Sequence, residues 1–261
     1  MAGIAVDSQD HVWIVHRPGD PARRRKRRAA EAAGHAVLHR RRRRCWSSTA
    51  TATCCAAGVG RARATTGPRA SMAFFVDRDN NVWLAGNDAN DSQILKFTAD
   101  GKFLMQIGKA GPGEGSNSKT QLGRPAGIEI DQAADELYVA DGYGNRRVIV
   151  FDSRTGAYKR HWGAYGNRPD DGKMPAYDPK APPSQQFGSP VHCARPSRDG
   201  LVYVCDRVND RVQVVPQGRQ LCKGIQGRAR HAAKRLGMGF GAVARPAAEI
   251  PVHGRRAPAA A

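Results

Sequence analysis

Arg17 and Arg207 share the most informative spacing in the chain: each follows an aromatic residue of an apolar stretch by four positions, Trp13 in one case and Tyr203 in the other. If the two aromatics occupy equivalent strands, both guanidiniums leave equivalent strand ends on one face of the fold, where a few polar groups can share a ligand. Other candidate groups carry less. Cys45, Cys54 and Cys55 lack a second C-x-x-C or a spaced His pair, which argues against zinc there. Gly58-Val-Gly60 and Gly237-Met-Gly239 do not join a strand to a helix, so neither is a dinucleotide loop. Asp141 and Asp206 fit turn formation better than acid–base catalysis, and Arg146, Arg147, Arg207 and Arg211 have a plain alternative as bridges to neighbouring carboxylates. Cys193 and Cys205 fall on adjacent strands of one hairpin; a disulfide is open, with two buried thiols the more usual outcome.

The elements that must position these groups are short strands. GIAVDSQDHVWIVH (3–16), AFFVDRDNNVWLAG (73–86), GIEIDQAADELYVAD (127–141) and HCARPSRDGLVYVCD (192–206) each read as apolar strand, polar turn, apolar strand around Trp or Tyr. Alternation and turn residues mark them as β-hairpins. ILKFTADGKFLMQIG (94–108) and RVIVFDSRTGAYKRHWG (147–163) supply further hairpins. Two hairpins in series make a four-stranded sheet, and its repetition describes β-propeller blades with Trp13, Trp83, Tyr138 and Tyr203 in equivalent places. Helical periodicity is absent.

The formal net charge of +19 points first to a nucleic-acid or membrane-surface partner. Its distribution points elsewhere. Lys and Arg outnumber Asp and Glu by 14 to 2 across 18–71 and by 9 to 1 across 216–261, leaving 19 against 20 in the remainder. No aromatics interleave the arginines of 23–28 and 40–44 to make a base-stacking surface, so no nucleic-acid partner is expected. The low complexity of both blocks predicts disorder. Both also read as blade sequence in the wrong frame. Codons begun one base earlier across 45–56 permit LEFDRDGNLLR, the pattern of LKFTADGKFLM at 95–105, and the same shift through 66–68 extends a plausible strand end and loop. Codons begun one base later permit FRKDGSFVK from 215–223, DTLRNGSVWDL from 230–240 and RFLYMADG from 249–256, the last close to ELYVADG at 136–142.

YVADGYGNRRVIVFD (138–152) and YVCDRVNDRVQVV (203–215) carry an Asp at the strand end, an Asn in the turn and an Arg before the next strand. This pattern resembles the NHL-repeat propellers. Within them, the chain is most similar to the six-bladed peptidyl-α-hydroxyglycine α-amidating lyases over roughly 1–17, 72–165 and 185–215. The resemblance implies an incomplete, all-β NHL-type propeller with a six-bladed ancestor. Its organisation would be a first hairpin at 1–17, an out-of-frame disordered segment at 18–71, blades at 72–215 and an out-of-frame disordered tail at 216–261. It also implies C–N cleavage to a peptide amide and glyoxylate, at a zinc held by histidines near the axis. Carried over by motif, the site residues are Arg17, Tyr143 and Arg207 as catalytic groups and His192 as a metal ligand. The arginines would hold the substrate carboxylate, and zinc or a phenolate would deprotonate the alcohol. The zinc site departs from the pattern. Met72 stands eleven residues before Trp83, where His192 stands eleven before Tyr203, and one His does not make a three-ligand site.

No run of 18 apolar residues encodes a membrane span, and Met1 sits directly before strand sequence without a secretory signal, leaving a start upstream open. Two readings follow. One is a lyase-like protein, frameshifted, shortened and inactive as written; the other is a non-enzymatic propeller binding a peptide, protein or polysaccharide through its face. Blades without outer strands would expose sheet edges and lower solubility. The out-of-frame reading is checked on the coding DNA: codons across 45–68 and 215–256 that exclude the shifted sequences overturn it.

Overall fold

The computed structural model describes residues 3–7, 11–16, 37–42, 55–57, 68 and 71–217. Four antiparallel sheets follow one another. The first is β1 (Gly3–Val6), β2 (His11–His16), β3 (Val37–Arg42) and β4 (Cys55–Ala57). The second is β5 (Ser71–Val76), β6 (Val82–Gly86), β7 (Gln93–Phe97) and β8 (Phe103–Gly108). The third is β9 (Gly127–Asp131), β10 (Glu136–Asp141), β11 (Arg147–Asp152) and β12 (Tyr158–Trp162). The fourth is β13 (Val191–Pro196), β14 (Leu201–Asp206) and β15 (Arg211–Pro216). Each sheet is a simple meander, and the first strands lie beside one another in the order β1, β5, β9, β13. Sheets that share an inner ring of first strands make an incomplete β-propeller. Among the described residues there is no α-helix, only one 3-10 turn at Ala164–Gly166.

Strand periodicity explains the packing. On β10, Leu137 and Val139 face the second sheet's Trp83, Ala85 and Ile94, whereas Tyr138 and Ala140 face the fourth sheet's Val202 and Val204. A strand buried on both faces must be apolar on both, which is why LYVA runs without a polar break. Trp13 packs with Val82, Leu84 and Leu95 between the first and second sheets. The four repeat aromatics occupy the second strand of each sheet, opposite Ala5, Phe75, Glu129 and Arg195. Two of them share a device: the Trp13 indole N–H donates to Asp7 at 2.8 Å and that of Trp83 to Asp77 at 3.0 Å, so the turn Asp of each hairpin satisfies a buried donor.

The disorder predicted for 18–71 does not extend to Val37–Arg42 and Cys55–Ala57, and the first sheet has four strands. The physical reason is that β2 presents a row of backbone N–H and C=O groups, and ladder pairing such as Ile14 with His39 depends little on side-chain identity. The remainder of that segment and the tail beyond 217 lie outside the described residues.

The Asp, Asn and Arg of the repeat form a buried clamp. Asp141 accepts the Gly123 N–H at 2.7 Å, the Asn145 amide at 2.7 Å and Arg147 Nε at 2.9 Å. The Arg147 guanidinium, fully buried, donates onward to the carbonyls of Ser116, Ser118 and Gln121. Asp206 repeats the arrangement with Gly188 N–H at 2.9 Å, Asn209 at 2.8 Å and Arg211 Nε at 2.8 Å, and Arg211 reaches the carbonyls of Ser184 and Gln186. Removing one member leaves a buried charge and several carbonyls unpaired. Arg147→Met is expected to cost about 3–5 kcal/mol in denaturant unfolding. Arg154→Ala, at an ion pair whose arginine side chain is 75% exposed, is expected to cost less than about 0.5 kcal/mol. Equal effects of the two substitutions would refute the clamp.

Candidate ligand site at the propeller rim

The end of β10, the start of β13 and the end of β14 open on one rim. Tyr143 follows β10 in the turn of Asp141-Gly142-Tyr143, and Gly142 is required there because a Cβ would collide with the Val191 backbone. That close approach carries Tyr143 to the first residues of β13. Ser189 Oγ completes the junction by donating to the carbonyls of Gly142 at 2.9 Å and Tyr143 at 3.2 Å.

His192 is the extra residue of a β-bulge: Val191 pairs with Asp206 and Cys193 with Cys205, leaving His192 unopposed. Its Nε2 lies 3.4 Å from the Tyr143 hydroxyl, with the rings edge to face at 5.9 Å. The second sheet bulges at the matching place, where Ser71 pairs with Gly86 and Ala73 with Ala85, so Met72 is the structural counterpart of His192. Bulges re-aim a side chain next to a site, and here they present an imidazole in one sheet and a thioether in the other.

Arg207 follows β14 directly and is exposed, with its Cζ 5.8 Å from the Tyr143 ring centroid. The structure therefore brings Tyr143, His192 and Arg207 together. Arg17 lies outside the described residues. Sequence spacing missed Arg124, in the loop before β9, whose Cζ is 6.0 Å from the same ring centroid. Strand-end logic does not reach a loop residue, and no repeat marks it. It also missed Glu129 on the inner strand β9, whose carboxyl burial pushes up against the opposing influence of Arg195.

Cys193 and Cys205 form a disulfide, with Cα atoms 4.9 Å apart, in place of the two buried thiols that are the more usual outcome for such a pair. Their position directly across the β13–β14 ladder decides it. The bond ties the strand of His192 to the strand of Arg207. Burial, and after it the Arg207 guanidinium, hold the His192 imidazole below its ordinary value of 6.5. The rim thus offers two guanidiniums, a phenol and a neutral imidazole, a cationic set suited to an anion such as a carboxylate.

The metal that the resemblance implies does not fit these residues. Among the described residues no group of three His, Cys, Asp or Glu could hold an ion, and Met72 occupies the bulge that would supply a second imidazole.

No family model matches the chain. Over 142 residues, 53% of this chain, it is 30% identical to peptidyl-glycine alpha-amidating monooxygenase B of Xenopus laevis, of which it covers 14%. Over 143 residues it is 27% identical to the peptidyl-glycine alpha-amidating monooxygenase of Mus musculus, again 53% of this chain and 13% of the relative. The chain thus spans a small part of the curated relatives it matches. Among solved structures, a catalytically inactive virginiamycin B lyase of Staphylococcus aureus with quinupristin aligns over 84% of this chain and 68% of its own, at 14% identity and a TM-score of 0.37.

Titration of His192 followed by NMR is expected to give a value under 6.5, and Arg207→Gln to raise it. Because the folded value is depressed, the unfolded chain takes up this proton first as pH falls. The stability contributed is whole above about 6.5 and declines as pH drops through the window beneath it. A His192 value above 6.5 would contradict the burial and the guanidinium beside it.

Proposed function

We propose that this chain is a lyase-like propeller whose rim binds the carboxylate end of a peptide and that, as written, does not complete the cleavage of peptidyl-α-hydroxyglycine. The observation that carries the reading is the convergence of Tyr143, His192 and Arg207, three residues from two sheets, within one set of contacts. The similarity to peptidyl-glycine alpha-amidating monooxygenases over 53% of the chain supports it.

In the reaction, loss of the hydroxyl proton of the hydroxyglycine carbon forms the glyoxylate C=O as the C–N bond breaks, and the departing amide nitrogen takes a proton. The residues at hand divide that work unequally. Arg207 would hold the carboxylate, and the Tyr143 hydroxyl, hydrogen-bonded to a neutral imidazole, would face the substrate alcohol. A Lewis acid would draw the alcohol proton off, and the described residues of the rim do not assemble a ligand set for one. The second reading, a peptide-binding propeller without catalysis, is favoured by Met72 at the bulge matching His192. On either reading, the basic segments 18–71 and 216–261 are proposed to be out-of-frame translation rather than a nucleic-acid surface, supported by the shifted sequences they permit.

Metal analysis and a glyoxylate assay on the full chain test both readings against a complete enzyme. The expected result after incubation with zinc and dialysis is well under one zinc per chain, no glyoxylate release from a peptidyl-hydroxyglycine, and retained peptide binding without metal. Stoichiometric zinc lost in His192→Ala, together with turnover, would establish a complete enzyme instead.

A further inference from the structure

Arg124 lies in the loop that leads into β9, and its backbone is tightly fixed. Its φ of 59° is left-handed, a conformation that side chains other than glycine seldom adopt. Three contacts hold it. The Gly123 N–H donates to Asp141 at 2.7 Å, Gly144 N–H to the Gly123 carbonyl at 2.7 Å, and Tyr143 N–H to the Arg124 carbonyl at 3.3 Å. The loop is thereby pinned along the turn that carries Tyr143. Strained backbone of this kind persists where surrounding contacts over-determine it, and it clusters at ligand sites.

The pinned backbone aims the side chain at the neighbouring sheet. Arg124 Nε donates to the Asn87 carbonyl at 2.8 Å. Asn87 stands four residues after Trp83, the place that Arg207 holds after Tyr203. The second sheet therefore has no cation of its own at the strand exit, and Arg124 delivers a guanidinium to that place from the third sheet. Its Nε is spent on Asn87. No other side-chain hydrogen bond or ion pair engages its terminal amino groups among the described residues, which leaves a planar pair of donors beside Tyr143.

We propose that Arg124 is a ligand-binding residue: with Arg207 it forms a two-arginine clamp, one guanidinium from each side of the third sheet's rim, for the terminal carboxylate of a peptide. The assignment rests on the carboxylate-binding part of the proposed function and not on catalysis. Arg124 supplies a bidentate contact that a carboxylate accepts and a terminal amide does not, so it sets the preference for acid over amide.

The test uses the whole chain, metal-free, and calorimetric binding of one N-acetylated tripeptide in two forms, free acid and C-terminal amide. The wild type is expected to favour the acid by about tenfold or more, the scale of a charge-assisted hydrogen-bond pair. Arg124→Gln is expected to remove most of that preference while amide binding stays within about twofold. Arg124→Lys, which keeps the charge but cannot reproduce the Nε–H contact to Asn87, is expected to retain part of the preference. A wild type without acid preference, or Arg124→Gln with the preference intact, overturns the proposal. So does a pattern in which both variants lose melting temperature and weaken acid and amide alike, since that is the signature of a strut to Asn87. Absence of glyoxylate release alongside an Arg124-dependent acid preference supports both this assignment and the proposed function. Glyoxylate release overturns the inactive reading alone if the acid preference still depends on Arg124, and overturns this assignment as well if KM is unchanged in Arg124→Gln.

Discussion

Two buried carboxylates hold the rim in place. Asp141 and Asp206 end the second strands of adjacent sheets, and each accepts three kinds of donor: a glycine N–H eighteen residues earlier, an Asn amide and an Arg Nε. The glycine contact is the consequential one. Through Gly123 it fixes the loop that carries Arg124, and through Gly188 it fixes the approach to Ser189, Pro190 and the bulge of His192. A charge buried this deeply is costly unless fully bonded, so the loops cannot relax without exposing it to that cost. The arginines then extend the constraint outward, since Arg147 and Arg211 each gather two or more loop carbonyls. Structural ion pairs thus decide where the rim groups stand, although no atom of either carboxylate belongs to the rim.

The bulges complete the positioning. In both β5–β6 and β13–β14 the ladder steps by one residue next to the rim, freeing Met72 and His192 from the alternation of their strands. The same backbone device therefore presents different chemistry in two sheets. A thioether is a soft, weak donor, whereas a neutral imidazole both accepts and donates hydrogen bonds. The frame for a symmetric set of ligands is present, and the side chains do not fill it as one.

Much of this was legible in the chain itself. The four hairpins, their shared aromatics and the Asp-Asn-Arg pattern announce sheets in series because strand periodicity and turn chemistry are local. The eleven-residue offsets of Met72 and His192 likewise expressed their equivalence before any bulge was visible. Arg124 was not legible, because its placement depends on a left-handed backbone and on bonds to residues eighteen and more positions away. The disulfide stayed open for a related reason. Whether Cys193 faces Cys205 depends on hairpin register, and a slip of one residue would turn one sulfur to the other face of the sheet. Val37–Arg42 and Cys55–Ala57 were missed because composition argues about side chains, whereas the edge of β2 pairs through its backbone.

The rim also draws on the part of the chain least affected by the basic segments. Propeller sheets contact mainly their sequence neighbours, so the geometry of one sheet depends weakly on sheets further along the ring. Arg124, Tyr143, His192 and Arg207 come from the third and fourth sheets, and Arg124 reaches across to the Asn87 carbonyl of the second. The clusters that support them are likewise complete between the second and fourth sheets. The first sheet is the one whose third strand carries part of the arginine run, Arg40 to Arg42. A carboxylate clamp built from Arg124 and Arg207 can therefore persist where a ligand set spread evenly around the ring cannot, because it asks for the order of three neighbouring sheets and not for closure of the whole.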